Sequence, residues 1–283
     1  MVADVIGVVS FLIAVISFVS GDDIARTLLA GYLCALVTAL LVWTGRTEAR
    51  NARLTRRASQ ADALPRLVDT VDQISHATLG LLAGGADDAF VARVTIALGH
   101  LAEMYGIATG VPCRVTLKAT YKPPRHPGRD LAVETVCRSS GHAGGQSVTG
   151  IDWINDNTDF RKIFNEGAEI FFCNDLPAEI PKGYRNSHFT DDVIASGSFP
   201  YRATIVWPVR GRLGDPTRDV DRWEVIGFLC VDTLRTYTFD RELDVAPGEV
   251  CAHALYSGLR RFRENQSSPR AGNAGKGRDR RSR

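Results

Sequence analysis

The 283 residues contain no CxxC pair and no His pair beside a cysteine, so the short fixed ligand spacings of a zinc site are missing. The six cysteines, at 34, 113, 137, 173, 230 and 251, are scattered through apolar segments and read as small buried hydrophobes in a reducing compartment. GxSxG, HExxH, the Walker A lysine loop and a Rossmann glycine pattern opening a helix after a strand are all absent. The histidines at 76, 100, 126, 142, 188 and 253 are dispersed, so spacing assembles neither a metal set nor a Ser-His-Asp constellation. The Gly-rich run "SSGHAGGQSVTG", residues 139–150, has no lysine and no following helix, and reads as a loop rather than a phosphate cradle. These absences point to a protein that is not an enzyme and holds no metal. A net charge of +2 is too small to call for nucleic acid, and the basic C-terminus lacks the aromatic residues that would stack on bases.

What is present begins with hydrophobic mass. At 45% hydrophobic residues, a chain of this length can bury one substantial core. Two apolar runs, residues 5–19 and 28–43, open the chain, separated by Gly21, Asp22 and Asp23. Each lies near the lower limit for spanning a bilayer, which needs roughly 17 to 25 residues. Arg46, Arg50, Arg53, Arg56 and Arg57 crowd after the second run, and Trp43 stands where an interfacial anchor belongs. The positive-inside rule then sets both termini in the cytoplasm, with two spans in the inner membrane and the lipid bilayer as a partner. "MVADV" has no basic segment before the first run, so signal-peptide cleavage is not expected.

Residues 46–86 read as a helical juxtamembrane linker. Leu64, Leu67, Val71, Ile74, Thr78 and Leu81 step by threes and fours, which suits either a short dimer seam or an amphipathic helix packed on the following domain. Asp87 is placed to cap the next helix, which carries Phe90, Val94, Leu98, Leu101 and Tyr105 on one face and is expected to end at Gly106. "CRVTLKATY" then alternates strictly, with Cys113, Val115, Leu117, Ala119 and Tyr121 on one face and Arg114, Thr116, Lys118 and Thr120 on the other. That is the pattern of a half-buried antiparallel strand. "LAVETVCR" completes a hairpin, a short helix follows around Phe160, and "EIFFCND" leads into a long loop punctuated by Pro177, Pro181 and Gly183. The strands "RATIVWPV" and "EVIGFLCVD" and a closing helix finish the domain, and Pro208 confines its strand to an edge, an end or a bulge. Residues 264–283 are polar, basic and rich in Gly and Ser, and read as a disordered tail.

The order of elements describes an α+β domain with a central antiparallel sheet flanked by helices. "ATIVWPVRGR", followed by "EVIGFLCVDTLRTYTFDRELD" and a closing helix, resembles the C-terminal half of a GAF domain, and "FRKIFNEGAEIFFCNDLP" resembles that family's helix, glycine and strand ahead of the ligand-facing loop. The resemblance covers residues 87–263, after the transmembrane hairpin of 1–45 and the linker of 46–86. It implies a sensory domain. Members that bind cyclic nucleotides carry an Asn-Lys pair after the "iGvL" strand; Asp232 and Thr233 stand there here. Members that attach bilins use a cysteine in the ligand loop, whereas Cys173 lies on an apolar strand. No cofactor follows from the sequence.

The leading expectation is a membrane-anchored homodimer whose cytoplasmic GAF-like domain binds a small molecule or nucleotide and signals to a separate output protein. Asn174, Asp175, Tyr184, Tyr201, Arg202 and Trp207 are the candidate ligand residues, because polar and aromatic groups on the long loop and its adjoining strand can converge above the sheet. Two other classes remain open. One is a ligand-free dimerisation or docking module. The other is a nucleotide-gated effector acting through its membrane helices.

Overall fold

A computed structural model of the chain describes residues 24–124, 131–139, 151–213 and 222–267. The first apolar run, the turn at Gly21–Asp23, most of the Gly-rich loop and the tail after Ser267 lie outside the described residues. The first described element, α1, is one continuous helix over Ile24–Leu82. Pro65 lies inside it without ending it. Among the described residues no helix is long and apolar enough to cross a membrane.

The chain divides into two compact units after Ala58, so the C-terminal part of α1, from Ser59, belongs to the same unit as the rest of the domain. The expected linker is therefore part of the fold from Ser59 onward. The physical reason is the face that α1 buries: Ala63, Thr70, Ile74, Ala77 and Leu81 are all at most 2% exposed. From Leu67 to Leu81 the seam packs as an amphipathic helix on its own domain, whereas Leu64 at its start is 56% exposed. Contact with the last helix is close, because a Cβ at Gly258 would stand 2.6 Å from Thr78 Oγ1 and 2.7 Å from the Phe90 ring. Only glycine lets the two helices approach that far.

Helix α2 (Asp87–Thr109) buries the predicted face from Phe90 to Tyr105. It runs past Gly106 and ends at Gly110, whose φ of 71° provides the left-handed cap. Asp87 does not cap it; its carboxylate accepts instead from Asn265 Nδ2 at 2.8 Å and Gln266 Nε2 at 2.9 Å, tying α2 to the end of the chain's last helix.

The sheet is built from β1 (Arg114–Tyr121), β2 (Ala132–Arg138), β3 (Asp152–Trp153), β4 (Phe171–Cys173), β5 (Ala203–Leu213) and β6 (Arg222–Thr233) in the order β3-β2-β1-β6-β5-β4. All pairings are antiparallel. β1 and β6 lie side by side in the middle, and Gly227 permits it, since a Cβ there would collide with the Lys118 carbonyl oxygen and press on Leu259. Pro208 sits beyond the three residues that pair with β4 and just before a bulge at Val209/Arg210. With no strand beside it on that side among the described residues, β5 tolerates a missing N–H there.

The two faces of the sheet carry separate cores. Val115, Leu117, Ile205, Trp207, Leu229 and Val231 pack with α1, α2 and the last helix, α6 (Arg241–Ser267). Phe228, Cys230 and Val206 face the other way, toward a cover of short elements. That cover comprises α3 (Thr158–Phe164), α4 (Leu176–Glu179), α5 (Asp191–Ser196) and the loops between them. β1 is thus buried on both faces rather than one, with Thr116, Lys118 and Thr120 at most 8% exposed. Its polar alternation does not mark solvent. It marks a polar interior.

Candidate functional site

Between the polar face of the sheet and the cover lies a cavity of about 340 Å³, near the lower end of small-molecule sites. The sheet supplies its floor with Thr116 and Lys118 from β1, Thr204 and Val206 from β5, and Cys230 and Asp232 from β6. Alternation brings these residues to one face, since i, i+2 and i+4 of a strand point the same way. The cover contributes Asp159 and Phe160 at the start of α3, Asn186 and His188 from the loop before α5, and Tyr201 just before β5. Arg114 and Arg138 also line it, with Val193, Ser198 and Pro200 as further wall.

The charges on the floor are paired. Arg114 Nη2 donates to Asp232 Oδ2 at 3.0 Å, while Thr204 Oγ1 donates to the other carboxylate oxygen at 2.7 Å. Burial alone would lower the Arg114 pKa, but Asp232 outweighs it and holds the guanidinium above its ordinary value. Lys118 Nζ stands 2.7 Å from Asp152 Oδ2, with Asn157 Nδ2 and Ser187 Oγ donating to Oδ1 at 2.7 and 2.8 Å. Against the desolvation that burial imposes, Lys118 and those donors hold the Asp152 carboxyl below its usual range. Both pairs are well shielded from water, so screening weakens them little.

Asp159 is different. Only 2% exposed, it accepts from the Phe160 N–H at 2.9 Å and, at 3.3 Å each, from Tyr184 Oη and Asn186 Nδ2. Among the described residues no cation pairs with it, and burial pushes its pKa up to about 6 despite the Phe160 hydrogen bond and the field of Lys118. His188 moves the opposite way, because burial and then the nearby Lys118 disfavour its charged form. The Cys230 thiol on the floor is pushed well up by burial and by Asp232, which makes it a poor nucleophile. Among the described residues no group of three or more His, Cys, Asp or Glu side chains is arranged to hold a metal ion.

The six sequence-predicted residues take different places. Tyr201 lines the cavity, with the Arg114 guanidinium 5.6 Å above its ring. Tyr184 stands one layer behind, holding Asp159 and Asn186. Asn174 clamps the turn before α6, donating to the Phe239 carbonyl at 2.6 Å and accepting from the Phe239 N–H at 2.9 Å. Asp175 caps α4 by accepting from the Ala178 N–H at 3.2 Å. Arg202 is exposed, donating to the Gly197 carbonyl at 3.2 Å. Trp207 lies on the opposite face of the sheet, 1% exposed, with its indole N–H on the Val245 carbonyl.

The acidic stretch after Phe239 is likewise structural. Asp240 Oδ1 accepts from the Glu242 and Leu243 N–H groups, and Asp244 Oδ2 accepts in return from the Asp240 N–H, a reciprocal cap on α6. Apart from Tyr201, sequence reasoning named none of the residues that line the cavity, Arg114, Thr116, Lys118, Asp159, Asn186 and Asp232 among them. One signal for part of this set was visible: Arg, Thr and Lys alternating on a strand that turns out to be central.

No protein-family model and no curated protein matches the chain. Solved structures similar to it include the GAF domain of a phosphoenolpyruvate-protein phosphotransferase from Coxiella burnetii, at 12% identity and a TM-score of 0.42, covering 71% of this chain and 99% of that one. The GAF domain of the Acinetobacter phosphoenolpyruvate-protein phosphotransferase gives 9% identity and 0.40, covering 70% and 95%. Free methionine-R-sulfoxide reductase from Neisseria meningitidis, in complex with its substrate, gives 16% identity and 0.39, covering 70% and 91%. At these identities and TM-scores the likeness says nothing of ligand or activity.

Proposed function

We propose that the chain is a membrane-associated sensory protein whose GAF-like domain binds a small molecule in the cavity on the polar face of its sheet and is not itself an enzyme. The observation that carries this reading is a central strand with a buried polar face, Thr116 and Lys118, opening onto a lined cavity. A fold that needed only stability would fill that space with hydrocarbon, since burying ion pairs is seldom more favourable than packing apolar groups. Ligand contacts with Asn186, His188 and Tyr201 would draw the loop cover onto the sheet. The resulting signal passes to a separate output protein.

Screening nucleotides, cyclic nucleotides and common metabolites by melting temperature tests the reading. A ligand at a hundred times its dissociation constant adds about 2.7 kcal/mol of stability. Thr116→Val, which removes a hydroxyl from the floor, reduces that shift. Arg202→Ala, outside the cavity, preserves it. If no compound shifts the protein and none co-purifies, the docking-module reading takes its place.

Membrane association is supported by the apolar runs and the arginine cluster that follows them, and by Leu40, Leu41, Val42 and Trp43, which are 46 to 72% exposed on α1. Full-length protein is expected in the pellet after carbonate extraction; its recovery in the supernatant excludes a spanning anchor. Pairing of two copies is supported by a second stripe on α1, where Leu64, Val68, Leu79 and Leu82 are 54 to 65% exposed. Apolar residues recurring at that spacing on an outer helix face suit a like partner.

A further inference from the structure

Between Trp43 and Ala58 the helix α1 carries its arginines along one side. Arg46, Arg50 and Arg57 are exposed, and with Arg53 they recur at i, i+4, i+7 and i+11. At about 100° per residue those four positions fall within roughly 60° of one another, along about 16 Å of helix. Trp43, 72% exposed, stands one turn before Arg46 on the same side. Glu48 is the sole acidic residue between Trp43 and Asp62, and helical spacing sets it on the far side. Among the described residues no acid pairs with Arg46, Arg50 or Arg57.

The positive-inside rule concerns how many cations follow an apolar run and is indifferent to the side they take. Lining them up has a cost, because like charges at i and i+4 repel along a helix. An anionic surface running beside the helix offsets that cost. The hydroxyls of the stretch ask for nothing outside it: Thr44 Oγ1 donates to the Leu40 and Leu41 carbonyls at 3.0 Å each, and Thr47 Oγ1 to the Trp43 carbonyl at 2.8 Å. Satisfied hydroxyls suit a water-poor surface, and the exposed Leu40, Leu41, Val42 and Trp43 just ahead of the arginines suit the same one. A nucleic acid would meet the arginines equally well but has nothing to cover those apolar groups.

We infer that the Arg46–Arg57 side of α1 lies on an anionic lipid leaflet, its guanidinium groups received by headgroup phosphates, so that this stretch docks or lifts with the anionic lipid content of the membrane. The inference rests on the membrane-association reading and not on a spanning anchor, since a helix lying on a leaflet needs none. Each cation close to such a surface multiplies the docked population roughly fivefold. Salt at high concentration screens most of that gain.

The test is hydrogen exchange, read by mass spectrometry on peptides covering residues 44–58. Full-length protein is compared in nanodiscs of phosphatidylcholine alone and of phosphatidylcholine with about 30 mol% phosphatidylglycerol. Exchange in those peptides is at least about tenfold slower in the anionic discs at about 0.1 M salt, and the difference disappears at about 1 M. Peptides from β1 and β6 are unchanged. The decisive variant swaps neighbours, Arg50→Asn with Asn51→Arg and Ala52→Arg with Arg53→Ala, which keeps composition and charge but spreads the arginines round the helix. It loses most of the protection that anionic discs give. The inference is overturned if the two lipid compositions give equal exchange, if the swapped variant is protected like the wild type, or if a short DNA duplex slows exchange in neutral discs as anionic lipid does. Protein released by carbonate that still shows the anionic-lipid effect loses the spanning anchor and keeps the inference. Protein that associates with discs of neither composition loses both.

Discussion

Replacing Lys118 by Met lowers the stability of the domain by about 3–5 kcal/mol at pH 7, the range for removing one partner of a buried ion pair. Lys118 and Asp152 are 11% and 9% exposed at the side chain and 2.7 Å apart, so the abandoned carboxylate would keep only the Asn157 and Ser187 donors. Adding Asp152→Asn should return most of the loss, because the amide oxygen still accepts from those two donors and no charge is left uncompensated. The pH dependence has a definite sign. Burial raises and Lys118 lowers the Asp152 pKa, with a net depression, so the pair contributes fully above the unfolded value of about 3.9 and is lost as the pH falls through the lower folded value. Urea unfolding of the wild type, the single variant and the double variant at pH 7 and pH 3.5 measures all of this. A loss under about 1 kcal/mol at pH 7 would mean that the pair behaves like an exposed one.

Ile74→Ala should cost about 2–5 kcal/mol, the range for deleting a buried aliphatic side chain with incomplete collapse around it. Ile74 is 0% exposed and belongs to the core shared with Leu81, Phe90 and Leu255. Replacing Val68 and Leu79 by Glu acts on the other face of α1, where the two side chains are 61% and 65% exposed. That double change should leave the unfolding midpoint of dilute protein within about 0.5 kcal/mol of wild type, as surface substitutions do. It should nevertheless halve the mass seen by light scattering. If the glutamates left the mass unchanged, α1 would not be the pairing surface. An Ile74→Ala loss below about 1 kcal/mol would place α1 outside the domain core.

Part of the molecule was legible from sequence and part was not. Local periodicity carried the order of helices and strands, the strand "CRVTLKATY" and the burial of the Phe90 to Tyr105 face. It could not say what lay against Leu67, Ile74 and Leu81, because a helix packs on its own domain and on a second copy with the same spacing of apolar residues. The irregularity beside Pro208 was readable because its chemistry is local. The cavity was not. Arg114 meets Asp232 across 118 positions and Lys118 meets Asp152 across 34, and each contact exists only once the sheet order is set. Loop chemistry drew attention to Tyr184 and Tyr201, and the same chemistry drew it to Asn174 and Asp175, whose hydrogen bonds hold turns and helix ends. Trp207 belongs to a strand whose alternate residues face opposite cores, so its side of the sheet depends on register.

Small-molecule occupancy of the cavity is tested most directly by mass spectrometry of compounds released when freshly purified protein is denatured, with Val206→Phe in parallel. Val206 lies on the cavity floor at 1% exposure, so a phenyl ring there occupies the ligand's space, and circular dichroism establishes that the variant is folded. The account predicts one metabolite in near-stoichiometric amount from the wild type and little or none from the variant. Equal retention by both proteins, or no metabolite above the buffer background from the wild type, would contradict it.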